Sequence, residues 1–415
     1  MEEYGIPGST EIWELLAELW SGQRMDPSCR SSSKLTDPVR YLFRPQEKRA
    51  KTLPVLRIPT LAIHLERSDT FTPNKETHLS PIAGLVAAEL KRQDEQSLEN
   101  NQASNFSESG AFTPLKTMTQ RHHSQLVELI AAECGAKPSD VLDFELLLYD
   151  TQKACLGGLH NEFIFSARLD NLNQTFCTVE GLINSLSSPT SLDSETSIRL
   201  IACFDHEEIG SMTAQGAHSS MLPAIIRRLS VLPASTSPSS HESESDSWKS
   251  YDKTTGDSDM STAYEQTLSC SFLISADMAH SVHPNYAAKY EPEHKTSMSG
   301  GPVIKINANA RYATNSPGIA LLQEIARTAP KLHDSDTEGV PLQLFVVRND
   351  SSCGSTIGPV LSAALGARTL DIGNPQLSMH SIRECGGVED IHHAIRLFSG
   401  FFQKYSELER KILVD

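Results

Sequence analysis

The sequence has no run of apolar residues long enough to cross a membrane, and no basic region followed by an apolar core at its N-terminus. We therefore expect neither a membrane-spanning helix nor a secretory signal, and no membrane partner. The expected location is the cytoplasm, with the vacuole as the other compartment that this pattern allows.

Basic residues are outnumbered, with 36 Lys and Arg against 52 Asp and Glu, and the formal net charge is −16. Such a balance argues against nucleic acid or an anionic membrane surface as a partner. No CxxC pair occurs among the eight cysteines, which argues against both a disulfide framework and a cysteine-rich zinc module. The cysteines are scattered singly at positions Cys29, Cys134, Cys155, Cys177, Cys203, Cys270, Cys353 and Cys385.

The length of 415 residues, with 39% hydrophobic and 21% charged residues, predicts an ordinary globular protein of two or three domains. Residues 1–30 form a leader that includes a helical apolar pattern over 11–20. Residues 91–118 are polar and predict a long mobile loop within residues 31–152. A Ser/Thr/Asp/Glu-rich insert, 233–262, has too few apolar residues to order itself, and interrupts residues 153–415.

After Gly157 and Gly158, apolar runs alternate with helical patterns, which is typical of a mixed α/β protein with a doubly wound sheet. The predicted strands are Ile198–Phe204, Ser271–Ser275, Val303–Asn307, Leu342–Val347 and Thr369–Ile372, and the predicted helices are 173–186, 213–229, 317–328, 356–366 and 388–404. Before this point the patterns predict strands over 55–65 and 141–149 and a helix over 123–134.

The most informative stretch is 197–211, where an apolar run ends in the adjacent carboxylates Glu207 and Glu208. Ligands collect beyond the carboxyl ends of strands in open α/β sheets. One carboxylate of such a pair can hold a metal while the other moves a proton. Taken alone, the pair is a weak signal, because acidic dipeptides at the end of a strand are more often solvated turn residues.

Other apolar runs end in the same way. Asp170 follows one, Asp277 follows another with His280 close behind, and His380 comes just after a predicted strand. Singly, the two aspartates have the alternative interpretation of helix N-caps, and the histidine that of a hydrogen-bonded core residue. Together they indicate a site for a divalent cation such as Zn²⁺, because converging carboxylates repel one another without one.

These segments, in this order, resemble the aspartyl aminopeptidases, a family of metallo-aminopeptidases. The resemblance runs from about Leu56 to Asp415. It is carried by Arg57-Ile-Pro-Thr-Leu-Ala-Ile-His64, Tyr149-Asp-Thr-Gln-Lys-Ala-Cys-Leu-Gly-Gly, Glu162-Phe-Ile-Phe-Ser-Ala-Arg-Leu-Asp170, Asp205-His-Glu-Glu-Ile-Gly-Ser, Ser275-Ala-Asp-Met-Ala-His-Ser-Val-His-Pro-Asn-Tyr, Gly301-Pro-Val-Ile-Lys-Ile-Asn, Arg348-Asn-Asp-Ser-Ser-Cys-Gly and Met379-His-Ser-Ile-Arg-Glu384.

The resemblance implies roles for nine residues. Asp170 would bridge two zinc ions, Glu208 and His380 would complete one of these sites, and Asp277 would bind the other ion. Glu207 would be the general base. The implied substrate contacts are His280, Lys305, Tyr312 and, lent to a neighbouring subunit, His64. Lys305 is the residue type that would pair with an acidic side chain at the first position of a peptide.

The fold implied by the resemblance is a zinc-peptidase domain, residues 153–415 here, plus a β-rich dimerisation domain, residues 31–152, in a dodecamer. The implied reaction is release of N-terminal Asp or Glu from peptides. The family's opening segment, with a His-Thr-Asp-Ser motif whose His ligates the second zinc, has no counterpart in this sequence. We therefore expect that zinc site to be impaired.

Two other functions stay open at this point. A catalytically impaired member would act as a structural subunit with complete copies of the enzyme. An unrelated hydrolase would use a nucleophile near Ser352, Cys353 or Ser355, but no GxSxG elbow accompanies them.

Overall fold

The structure is a computed structural model that describes residues 54–59, 64–65, 72–85, 88, 115–188, 191–193, 195–231 and 262–411. The chain divides into two compact units, Glu11–Gln152 and a second unit whose described residues all lie in Lys153–Asp415. The leader and its predicted helix, and nearly all of both the insert 233–262 and the loop 91–118, lie outside the described residues. The predicted domain roles therefore remain predictions.

In the unit Glu11–Gln152, the described core is helical. Helices α1 (Met118–Arg121) and α2 (Ser124–Cys134) bury Met118, Val127 and Ala131, and α2 ends at Gly135 with a φ of 65°. The structure differs from the prediction over 141–149, which form no strand and expose all four of their leucines. Only a single bridge, Arg57 to Ile82, remains of the predicted strand over 55–65 among its described residues.

The unit Lys153–Asp415 mixes helices and strands. Its helices are α3 (Leu169–Ser185), α4 (Met221–Ser230), α5 (Ala263–Ser269), α6 (Ser316–Arg327), α7 (Gly358–Leu365) and α8 (Val388–Leu408). Its strands are β1 (Cys155–Gly157), β2 (Phe163–Ser166), β3 (Phe272–Ala276), β4 (Ala279–His280), β5 (Val303–Ile306), β6 (Gln343–Val346), β7 (Arg368–Gly373), β8 (Pro375–Leu377) and β9 (Glu384–Gly387). The predicted mixed α/β class is confirmed.

The strands form two sheets. One has the order β3-β7-β5-β6, with β3 parallel to β7, β5 parallel to β6, and β5 antiparallel to β7. The other has the order β1-β2-β9-β8-β4. Since β7 runs almost directly into β8, and β3 into β4, the ends of both sheets meet where residues 277–280 and 374–380 lie. Three of the nine candidate site residues, Asp277, His280 and His380, lie in these two segments.

Helices α3 and α8 pack closely against each other in the core. Cys177 and Leu397 are fully buried there, and a Cβ at Gly181 would approach the Cβ of Phe398 to 2.5 Å. The glycine therefore permits the two helices to come close, at a position where any side chain would overpack the interface. Since the predicted ligand Asp170 is the second residue of α3, this contact supports one wall of the site.

Most predicted elements of this unit are present, and two differ. Residues 198–204 form no strand in the described chain, although their apolar side chains, such as Ala202 and Phe204, pack against the core of Leu222 and Leu361. The helix predicted over 213–229 begins only at Met221, because residues 213–220 form turns in which Gly216 lies against the Ser211 backbone. Within the described residues, no helix is both long enough and apolar enough to cross a bilayer.

Candidate metal centre and active site

Three side chains from distant parts of the sequence offer ligand atoms to one point. Nε2 of His380 lies 3.3 Å from Oδ2 of Asp170 and 3.3 Å from Oε2 of Glu208. All three ligand atoms lie within 4.8 Å of one another. Two carboxylates and one imidazole at this spacing form a donor set that zinc binds in hydrolytic enzymes.

The charge balance at Asp170 also fits a cation. Burial first, and then the nearby carboxylates Asp277 and Glu208, together raise the pKa of Asp170 to about 8. Its Oδ1 atom is buried and has no hydrogen-bond partner among the described residues. A divalent ion would satisfy this oxygen and offset the repulsion, so the residues present fit the zinc that the donor set indicates.

The backbone at these ligands adopts uncommon conformations. Arg168, two residues before Asp170, has a φ of 59°, and His380 itself has a φ of 66°. Left-handed conformations are uncommon for residues other than glycine, and they concentrate at functional sites. Here they turn the chain so that the end of β2 and the loop between β8 and β9 direct their side chains to one point.

The two adjacent glutamates lie on a short 3-10 turn, Glu207–Ile209, entered through His206 at a φ of 62° and left through Gly210 at a φ of 102°. His206 Nδ1 shares a hydrogen bond of 2.7 Å with Thr213 Oγ1, which holds the turn. Burial, followed by the charges of Asp277 and Glu208, raises the pKa of Glu207. A carboxyl group with a raised pKa is suited to exchange protons near neutral pH.

Asp277 forms an ion pair with the side chain of Lys305. Its Oδ1 atom accepts a hydrogen bond of 3.1 Å from the ammonium group of Lys305, and both side chains are largely buried. The Lys305 ammonium also lies 5.5 Å from the ring centre of Tyr312. Cys353 donates a hydrogen bond to the Tyr312 hydroxyl, and burial raises the pKa of that hydroxyl. The lysine thus lies between an acid and an aromatic ring.

His280 lies beside these groups with its ring 5.9 Å from that of Phe345. Its ring faces the cleft, and the surrounding protein, with the positive charge of Lys305, lowers its pKa. A neutral imidazole is therefore favoured at this position at neutral pH.

Eight of the nine predicted site residues line one cleft of about 1030 Å³. They are Asp170, Glu207, Glu208, Asp277, His280, Lys305, Tyr312 and His380. The ninth, His64, belongs to the unit Glu11–Gln152, where its side chain is exposed. Its assignment remains a prediction.

Several residues that contact the site were not predicted from the sequence. Glu384 accepts hydrogen bonds from two ligand backbones, Asn171 accepts one of 2.8 Å from the Met278 backbone, and Asp371 accepts one from the Ala313 backbone next to Tyr312. Asn171 follows an apolar run, whereas Asp371 lies within β7 and Glu384 begins β9, so a polar residue beside apolar ones was the only available signal. That signal does not distinguish a residue that would bind a metal from one that holds the backbone.

Comparison with known proteins agrees with this site. The model of the family described as aminopeptidase I zinc metalloprotease (M18) matches residues 45–402. The aspartyl aminopeptidase of Aspergillus oryzae is 65% identical over 364 residues, which are 87% of this chain and 69% of that protein. Aspartyl aminopeptidase 4 of Saccharomyces cerevisiae is 48% identical over 368 residues, which are 87% of this chain and 67% of that protein.

Solved structures give the same result for the fold. The Ape4 chain in a cryo-EM structure of the Ape4 and Nbr1 complex superposes with a TM-score of 0.69 at 43% identity, covering 88% of this chain and 60% of that one. The chain therefore spans less than two thirds of the Ape4 chain. A crystal structure of prApe1 has a TM-score of 0.64 at 27% identity and covers 87% and 65%. From the sequence match and the shared fold, this chain belongs to the M18 family of zinc metallo-aminopeptidases.

Proposed function

We propose that this chain is a zinc-dependent aminopeptidase that releases N-terminal Asp or Glu from peptides. The observation that carries the proposal is the group of Asp170, Glu208 and His380 in one cleft with Glu207 and Lys305. The names of the Aspergillus oryzae and Saccharomyces cerevisiae relatives support the same activity.

Asp170, Glu208 and His380 are the residues that would hold one zinc ion, and Asp277 would contribute to a second. When bound, zinc supplies a Lewis acid that polarises the scissile carbonyl and makes water more acidic. The buried, unpaired Oδ1 atom of Asp170 supports its role as a ligand shared between two ions.

Glu207 is the proposed general base. It accepts a proton from the attacking water and returns it to the amine that leaves, so the same carboxyl group serves both steps. Its adjacency to Glu208 and its raised pKa support this role, because the short turn places this carboxyl group next to a residue that would hold the ion.

Lys305 is the proposed contact for the acidic side chain of the substrate. An ammonium group has three donors, and the hydrogen bond to Asp277 uses one of them. Being almost fully buried, the lysine would pair with a substrate carboxylate away from bulk water, where charge-assisted hydrogen bonds are strong. His280 and Tyr312 are proposed to contact the rest of the substrate, with His64 of a neighbouring subunit completing the site.

The activity test uses a set of chromogenic amides that differ only in the amino acid released. We expect the purified protein to cleave the Asp and Glu substrates in preference to the Ala and Leu substrates. Treatment with a chelator should abolish cleavage, and added zinc should restore it. Zero turnover by protein that contains zinc would contradict the proposed activity.

Replacing Lys305 with Met is expected to lower the preference for Asp over Ala about 100-fold, measured as the ratio of the two kcat/KM values. The ratio is the informative quantity. Loss of the ion pair with Asp277 should lower kcat/KM for both substrates by the same factor, and that factor cancels in the ratio. Lys289, which lies in the same cleft, provides the comparison. If Lys289→Met lowers the ratio and Lys305→Met does not, the assignment to Lys305 is wrong.

Homo-oligomerisation is also proposed. One of the relatives, S. cerevisiae mApe1, is a dodecamer, and the likeness of fold at 25% identity supports a dodecamer for this chain. Mass photometry of the purified protein would show a single species of about twelve chains. A monomer under the same conditions would contradict this assembly.

An impaired family member is the second candidate, favoured by the contact of Asp277 with Lys305. The ammonium group occupies one side of the carboxylate that would bind the second ion. Such a chain would hold one ion and act as a subunit alongside longer relatives. One zinc per chain by elemental analysis, no turnover alone, and co-purification with an active longer copy would support it; two zinc ions per chain would exclude it.

A further inference from the structure

One buried carboxylate binds the backbones of two proposed metal ligands at once. Oε2 of Glu384 accepts a hydrogen bond of 3.1 Å from the Asp170 N–H group, and Oε1 accepts one of 2.8 Å from the His380 N–H group. The residue is 2% exposed. Both carboxylate oxygens are therefore used to connect two segments separated by more than 200 residues in the sequence.

Glu384 itself belongs to a paired β-strand. It is the first residue of β9, where it pairs with Ser166 at the end of β2. β2 leads into Asp170 within four residues, and the loop that carries His380 leads into β9. The carboxylate thus lies where both ligand segments leave the same pair of antiparallel strands.

The segments that it holds need such support. His380, with a φ of 66°, and Ser378, with a φ of 59°, lie on one side, and Arg168, with a φ of 59°, lies on the other. Residues other than glycine adopt these conformations only where the surrounding structure enforces them. The His380 side chain is 63% exposed, so packing of the ring does not hold this loop in place.

We propose that Glu384 is a positioning residue that sets the spacing of Asp170 and His380 for zinc, a role that rests on the proposed function. It binds neither metal nor substrate and acts through the two backbone N–H groups. The groups that orient metal ligands contribute strongly to metal affinity. The carboxylate is required because a Gln side chain has only one acceptor oxygen and would present a donor to the second N–H group.

Asp390 provides a matched control. It is also a buried carboxylate, 1% exposed, that accepts hydrogen bonds from two backbone N–H groups, those of Ser299 and Gly301. Neither of these groups belongs to a proposed ligand. Asp390→Asn and Glu384→Gln therefore make the same chemical change in similar surroundings, and differ in whether a ligand backbone is affected.

The experiment is a titration of each metal-free full-length variant with Co²⁺, followed by the visible absorption of the bound ion. We expect Glu384→Gln to lower Co²⁺ affinity about 10- to 100-fold and to change the shape of the absorption bands, while Asp390→Asn leaves both close to those of the unmodified protein. Equal affinities for Glu384→Gln and the unmodified protein, or equal losses in both variants, would overturn the proposal.

Hydrogen exchange of the unmodified protein, followed by mass spectrometry, gives a second test in case Glu384→Gln does not fold. The His380 amide should exchange slowly although its side chain is exposed, because a buried carboxylate accepts its hydrogen. Exchange as fast as that of an unprotected loop would overturn the proposal. Protein that binds Co²⁺ with the expected difference between variants, but cleaves no substrate, would leave this role intact and exclude the proposed activity.

Discussion

Glu207→Gln is expected to lower kcat for an aspartyl amide about 10³-fold while the zinc content of the protein stays unchanged. The amide of Gln has nearly the shape of the carboxyl group but cannot accept the proton of the attacking water. Glu207 is absent from the three-ligand group, which contains Asp170, Glu208 and His380, so its loss should not release the ion.

The neighbouring residue separates this prediction from a general loss of charge. Glu208→Gln removes one carboxylate from the same turn, but this residue contributes an oxygen to the ligand group. We expect zinc content to fall together with activity in that variant. Steady-state kinetics and elemental analysis of both variants provide the measurement.

The opposite pattern would assign the two roles the other way round. If Glu207→Gln loses zinc, or retains more than a tenth of its kcat, Glu207 is not the general base. The raised pKa of Glu207, caused by burial and then by Asp277 and Glu208, would in that case reflect only crowding of acids in the cleft.

His380→Ala is expected to lower zinc affinity more than about 100-fold, a larger effect than that of residues that only orient the ligands. The imidazole is the one nitrogen donor of the group, and its loss leaves two carboxylates to hold the ion. Because the side chain is 63% exposed, its removal leaves no buried cavity, so the melting temperature of the metal-free protein should stay nearly constant.

Activity of this variant should return in part when zinc is added in excess, since the general base and the substrate contacts are unchanged. Titration calorimetry gives the affinity, and the amide assay at rising zinc concentration gives the recovery. His218, an exposed histidine in the same unit that does not line the cleft, provides the control as His218→Ala. Unchanged zinc affinity in His380→Ala would remove this residue from the ligand set.

The sequence predicted several elements of the Lys153–Asp415 unit well because their patterns are local. The predicted helix over 388–404 is present as Val388–Leu408, and the predicted strand over 303–307 as Val303–Ile306. Both predictions rest on the spacing of apolar residues within the segment itself. The strand predicted over 198–204 is absent because strand formation is not a local property. An apolar run becomes a strand only when another strand lies beside it.

The candidate site was predicted in its residues but not in its connections. Acidic residues and histidine at the ends of apolar runs indicated a cation, and the structure brings Asp170, Glu208 and His380 together. The pairing of Lys305 with Asp277 and the double contact of Glu384 could not be predicted, because each depends on the spacing between segments far apart in the sequence.

The sequence by itself determined the family, the residue types available for chemistry, and the helices that begin and end on local signals. Only the tertiary structure decided which of the acids converge with a histidine at one point, which one pairs with a lysine, and which one holds the backbone. The physical reason is that a carboxylate has the same local pattern in all three roles. What distinguishes the roles is the group that faces the carboxylate, and that group is brought there by folding.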